Sequence, residues 1–432
     1  MKRRNDDSDI SFLGKIILFF KTLKEKLLGL HLSERFLKNQ REIAGYENEN
    51  SPYEAKLSFG FGIASRISLA LLCIILAVVL IFGGSIISYE NVYYMFKDIS
   101  YISSFSEGRP ETLSFSKPFS NQDFGSFKNG LAVAGDSEIK FFTSTGRTTL
   151  VSGSGYTNPK ICTSNSYALI YDQGRRSFSV YNSFISVHSE TLDYPVSYAD
   201  MAPDGSFCVV SKSNDYGSVV RIYDNSFKLE SQYSKNDYII SAEMSPNGKY
   251  VAVLSMDAEG GESKVSLAVL KRGESKPLHT ELISGILPYR AEFLSDDRIA
   301  LICSDNFSVY DLNGNRKNNF VYPCTPEFIS ISEGNCCFLF NENGVSNDNV
   351  IVSFDSNGNL KNSTVIGERV TDMRSNNKYV FLLCEGKAVR VDLAFGATVS
   401  TAFDQSDARL VIFSNGEVVA CTENTAYYIS FN

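Results

Sequence analysis

The spacing of apolar positions changes twice along the chain, and each change predicts a different kind of element. Leu13, Ile16, Phe20, Leu23, Leu27 and Leu30 recur at steps of three and four, which places them on one face of a helix. Lys15, Lys21 and Lys26 lie beside or opposite that stripe. The predicted helix is therefore amphipathic and basic, suited equally to an anionic membrane surface or to a partner helix. A polar linker, AGYENENSPYEAKLS, follows over residues 44–58. Ile67 to Ile87 then reads ISLALLCIILAVVLIFGGSII, 21 residues without a charge. At about 1.5 Å of rise per residue such a run crosses a hydrocarbon core of about 30 Å, so a transmembrane helix is predicted.

Beyond about residue 110 the period falls to two, and a strand, tight turn and apolar strand recur as a unit. The clearest copies are MAPDGSFCVVS from Met201, MSPNGKYVAVLS from Met244, FLSDDRIALIC from Phe293 and MRSNNKYVFLL from Met373. Weaker ones are FKNGLAVAG from Phe127, TSNSYALIY from Thr163, SEGNCCFLF from Ser332 and FSNGEVVAC from Phe413. Taking Gly130, Asn165, Gly205, Gly248, Asp297, Gly334, Asn377 and Gly416 as equivalent turn positions gives steps of 35, 40, 43, 49, 37, 43 and 39. A four-stranded propeller blade takes about 40 to 45 residues. Further strands follow at the expected places, as in VVRIYD to Asp224, FSVYD to Asp311 and IVSFD to Asp355, and Asn-Gly turns then suit hairpins.

The fold predicted is all-β, an eight-bladed propeller preceded by an amphipathic helix and one transmembrane helix; seven blades result if FKNGLAVAG is a supernumerary strand pair. The last blade runs out of chain after TAYYISF, and an open edge is a pairing liability, so a strand near Glu111 to Phe115 is expected to complete it. The domains are a cytoplasmic segment over 1–66, the span over 67–88, a linker over 89–110 and the propeller over 111–432.

These copies resemble WD-type and quinoprotein-type propellers, with Tyr-Asp or Phe-Asp where the former often have Trp-Asp, although the chain contains no Trp. The whole layout resembles a group of membrane-anchored propeller proteins of unknown function from Gram-positive anaerobes. That resemblance implies a bacterial cell-surface location and no known activity.

Charge sets the orientation. Of 41 Lys and Arg, 12 precede the span and only Lys97 lies within 15 residues after it, which predicts a cytoplasmic N-terminus and a propeller outside the cell. The span begins too late for a cleaved signal peptide and reads as an uncleaved anchor in the lipid bilayer through residues 67–87. The part after it keeps 29 basic against 40 acidic residues, a balance of −11 that argues against nucleic acid as a partner. Of nine cysteines, Cys73 is in the span; Cys208, Cys303, Cys336, Cys337, Cys384 and Cys421 sit in apolar runs, which reads as buried free thiols.

Catalytic signatures are missing. His31, His188 and His279 are scattered, no HExxH or GxSxG occurs, and no cofactor or metal motif is present, so no enzyme is predicted. Two constellations remain as candidate ligand-binding residues. Asp200, Glu243, Glu292 and Asp372 each stand five residues before a turn position, while Lys160 takes that place in the second blade. They either form a partial ring that binds a cation or a basic group, or accept hydrogen bonds and serve structure alone. Tyr156, Tyr194, Tyr238, Tyr289 and Tyr322 fall in five successive connections between blades, on the face that also carries long loops at 211–217, 256–264 and 341–349. They make either a binding surface or inter-blade contacts. The function expected is a non-catalytic scaffold for another cell-surface or membrane protein. The alternatives are a sensor that passes ligand occupancy to a cytoplasmic partner and an enzyme of cell-wall or small-molecule chemistry.

Overall fold

The computed structural model describes Ser68 and Leu69 and residues 112–115, 121–144, 146–259, 262–284, 287–332, 334–341, 348–405 and 407–431. The amphipathic stretch, all of the span but Ser68 and Leu69, and the linker lie outside the described residues. Among the described residues no helix is long and apolar enough to cross a membrane. The chain divides after Ser103 into two units, of which the second carries the fold.

Strict alternation and turn residues resolve into eight antiparallel four-stranded sheets. Blades 1 to 7 run over residues 122–153, 159–191, 196–235, 238–284, 288–321, 328–366 and 370–402. Blade 8 takes three strands from 409–429 and its fourth from Thr112–Ser114, which pairs antiparallel with Thr425–Ile429. Gly130–Gly135 is an ordinary second strand of blade 1, so the count is eight. First strands touch first strands around the ring, from blade 1 to blade 8 and back to blade 1, and so form the hub.

The core is divided among the seams. Eight buried apolar clusters each join two neighbouring blades, because both faces of every sheet must be covered. Fourth strands have one face in water and alternate accordingly, as in Arg316–Val321 and Leu360–Ile366. The seam between blades 8 and 1 depends on the closing strand: Leu113 and Phe115 are buried there with Val411, Phe413, Leu131 and Val133. The ring of Phe115 lies 5.9 Å from that of Phe142.

Asp residues at the ends of third strands build the outer hairpins. Asp311 accepts hydrogen bonds from the backbone of Asn313 and Asn315, both at 2.9 Å, and Gly314 supplies the positive φ of +78°. Asp355 repeats this with Asn357 and Asn359. The turn-forming reading of both Asp-x-Asn-Gly-Asn segments is thus what the geometry displays. All eight propeller cysteines are free; six are buried, and Cys162 and Cys324 are partly so. Burial pushes the thiols of Cys303 and Cys337 up to about 12, which keeps them protonated and unreactive.

Candidate functional site

Hub strands of neighbouring blades are too far apart to share a backbone ladder, so side chains must bridge them. Asp123 accepts from the backbone N–H of Ile161 at 3.1 Å, Asp200 from Met244 at 2.8 Å and Asp372 from Leu410 at 2.6 Å. Hydroxyls do the same at two other seams: Ser241 accepts from Ala291 at 3.3 Å and Ser330 from Ser375 at 2.8 Å. In each case one polar side chain satisfies a backbone donor of the next blade, which a buried amide requires. Sequence reasoning missed Asp123, Ser241 and Ser330 because the device tolerates any short acceptor and so leaves no repeated letter.

Of the four repeated acids, the fold brings three together. Four blades carry an irregularity near the start of the hub strand, between Val196 and Tyr198, Ile239 and Ser241, Pro288 and Arg290, and Val370 and Asp372. Counted from it, Asp200, Glu243 and Glu292 stand at one level of adjacent blades 3, 4 and 5. Arg374 takes that level in blade 7, and Asp372 lies two residues earlier, level with Tyr198, Ser241 and Arg290. The cause is a tighter turn: Ser375 pairs with Val380, whereas Met201 pairs with Phe207 and Met244 with Val251. Spacing counted back from the turn therefore aligns Asp372 with the wrong level.

The three acids form a chain of hydrogen bonds and charges. Tyr198 donates its hydroxyl to Glu243, and the Asp200 and Glu243 carboxyls stand close enough to shift each other's titration. Burial, with the neighbouring Asp200 and Glu292 charges, pushes Glu243 well above the usual carboxylate range. Burial also raises Asp200, against the pull of the Met244 N–H. Glu292 is raised by burial and held back by Arg290, 2.8 Å away, and by Arg374. All three side chains are hemmed in by protein yet keep some contact with water along the hub. Cys162 donates its thiol to the carbonyl of Ala199 at 3.1 Å, and burial keeps it protonated.

This arrangement can hold a proton and tie blades together. Among the described residues no His joins it: His188 and His279 sit on fourth strands beside Glu190 and Glu281. Among the described residues no group of His, Cys, Asp and Glu is disposed to hold a metal ion. Lys160 is half-buried in the hub strand of blade 2.

The five tyrosines divide. Tyr156 is buried between blades 1 and 2, its hydroxyl 2.8 Å from that of Ser179. Tyr322 is buried among Phe338 and Phe340. Tyr194 is half-buried, whereas Tyr238 and Tyr289 are 52% and 48% exposed. Tyr216, in the loop after the second strand of blade 3, is 48% exposed on the same face, as is Leu287 at 52%. The segment read as a loop over 256–264 mostly prolongs a hairpin of two ten-residue strands, Tyr250–Glu259 and Glu262–Lys271.

A family model described as "Family of unknown function (DUF5711)" matches residues 111–431. No curated protein matches the sequence. Among solved structures, the C-terminal WD40 domain of Sif2 is similar with a TM-score of 0.52 at 11% identity, over 74% of this chain and 99% of that one. BamB from Moraxella catarrhalis has a TM-score of 0.49 at 10% identity, over 74% and 99%. At 11% identity the likeness to the Sif2 domain is one of fold alone.

Proposed function

We propose that this chain, which belongs to the DUF5711 family of unknown function, is a non-catalytic scaffold that offers the connector face of its propeller to a protein partner. The observation that carries the reading is the division among the tyrosines: Tyr238 and Tyr289, with Tyr216 and Leu287, remain half-exposed on blades 3 to 5, whereas Tyr156 and Tyr322 are used up in the seams. Half-exposed Tyr gives a rigid amphipathic contact at small entropic cost, the property that enriches it at interfaces. The hub carboxyls favour this reading over an enzyme, since each is engaged with a neighbouring blade or a cation.

In this proposal residues 67–87 anchor the chain in a bilayer, the first 66 residues stay in the cytoplasm, and the partner is another surface or membrane protein. The charge asymmetry around the apolar run supports that placement. Protease added to intact cells is expected to remove the propeller and leave the N-terminal segment; survival of an intact propeller would invert the orientation.

The connector face is tested by crosslinking the native protein in place and identifying its neighbours, then repeating with Tyr238→Ala and Tyr289→Ala. Loss of a central aromatic anchor lowers affinity by about 2 kcal/mol, so capture should fall severalfold or more. Equal capture of the same neighbours by the variants would exclude this face, and an absence of specific neighbours around the parent protein would remove the scaffold reading.

A further inference from the structure

The third strand of blade 7, Lys387–Asp392, carries an arginine where its counterparts carry neutral residues. Arg390 stands two places before Asp392 and pairs with Phe381 of the second strand. The same place before Asp224, Asp311 and Asp355 holds Ile222, Val309 and Ser353, all of them buried. A guanidinium set among such positions is costly unless its N–H donors find acceptors.

Aromatic rings meet only part of that demand. The guanidinium carbon of Arg390 lies over the Tyr379 ring at 4.9 Å from its centroid and over the Phe431 ring at 5.5 Å. The ring faces offset its charge, yet they offer no oxygen to its N–H groups. Among the described residues the Arg390 side chain has no ion-pair partner and no hydrogen-bond acceptor. The Lys378 ammonium, fully exposed, lies over the same Tyr379 ring at 4.9 Å and adds a second positive charge nearby.

Arg390 lines a cavity of about 260 Å³ in the seam between blades 7 and 8, at the end where first and second strands turn. Strand ends place it there: Tyr379 and Val418 begin second strands, and Ile429 ends the third strand of blade 8. Phe381, Val418 and Ile429 are buried and give the cavity apolar walls. Glu417 lies on the blade 8 side, its carboxylate accepting from the Asn415 amide at 2.8 Å. A ligand carboxylate would supply the acceptors that Arg390 lacks, because its paired oxygens match the guanidinium fork. The walls call for an apolar stem, and a volume just under that of drug-sized sites keeps the stem small. Glu417 disfavours a second acid on the same ligand.

We propose that this cavity binds a small monocarboxylate with an aryl or alkyl stem, its carboxylate on Arg390 and its stem against Phe381, Val418 and Ile429. The site lies at the opposite end of the propeller from Tyr238 and Tyr289 and does not rest on the scaffold reading. Saturation-transfer NMR on the full chain in detergent, with micelles alone as the blank, would compare 3-phenylpropionate, 3-phenylpropionamide and phenylsuccinate. 3-Phenylpropionate should receive saturation. The amide should bind about tenfold more weakly, the ratio expected when a charge-assisted contact is missing, and the diacid severalfold more weakly. Arg390→Gln should weaken 3-phenylpropionate by about tenfold or more, and Arg390→Lys, which keeps the charge but not the fork, should weaken it severalfold. Unfolding midpoints of both variants separate loss of the site from loss of the fold, and the comparison of probes on the parent needs no variant. No transfer to 3-phenylpropionate at millimolar concentration, an amide or diacid that binds as well, or unchanged affinity in a folded Arg390→Gln would each overturn the proposal. Tyr238→Ala serves as the control that leaves this binding unchanged.

Discussion

Deleting residues 112–115 should open the ring and bring the propeller close to its limit of stability. Leu113 and Phe115 are both buried in the seam between blades 8 and 1, and truncating a buried Leu or Phe costs about 2 to 5 kcal/mol each. The deletion also strips Thr425–Ile429 of its backbone partner and leaves the Asn424 carbonyl without the Phe115 N–H that it now accepts at 2.7 Å. Domains are stable by only about 5 to 15 kcal/mol, so a large part of the total is at stake. Leu113→Ala with Phe115→Ala keeps the backbone pairing and should show roughly the side-chain share. Thermal and denaturant unfolding check both; a midpoint within a degree of the parent would mean that this strand does not close the ring.

The second large effect concerns proton binding at the hub. A carboxyl whose folded pKa lies above its unfolded value holds its proton more tightly when folded. Its contribution to stability is then fully present below the unfolded value, near 4.3, and is lost as pH rises through the folded value. Glu243, raised by burial and by Asp200 and Glu292, is such a group, and Asp200 and Glu292 share the direction. Glu243→Gln supplies an uncharged amide that can still accept from Tyr198. The variant should be more stable than the parent at pH 7 to 8, by about 1 to 2 kcal/mol given that water reaches the hub, with the difference shrinking toward pH 4. Asp200→Ala should act in the opposite direction at neutral pH, because it strands the Met244 N–H. Midpoints measured from pH 4 to 8 test the pair. A Glu243→Gln variant less stable than the parent throughout would mean that the carboxyl is ionised and paired in the fold.

The blade count and the closing strand were legible because both follow from patterns that any one sequence displays: turns at intervals near forty residues, and a last blade one strand short. Asp372 was not, because the turn after it is shorter and the count from that turn lands at the wrong level of the strand. Which tyrosines face water was also hidden. Tyr289 falls at the irregularity of its hub strand, between Pro288 and Arg290, and Tyr156 sits against Ser179 of the next blade; neither is visible in spacing. Tyr216 escaped notice for another reason: it stands outside the repeat, in a loop where no second copy marks it.

The pairing of Thr112 with Tyr427 has a consequence for how the protein is made. A ribosome releases residues 112–115 early, and their partner strand, Thr425–Ile429, emerges only after every other blade has been synthesised. Throughout that interval the seam between blades 8 and 1 cannot form, and Leu113, Phe115 and the apolar face of blade 1 stay uncovered. Contacts this distant in sequence form slowly, and uncovered strand edges on nascent chains invite mispairing. The latch that removes the last edge from the finished ring is therefore the step at which a stalled or truncated chain is most exposed to aggregation and to degradation.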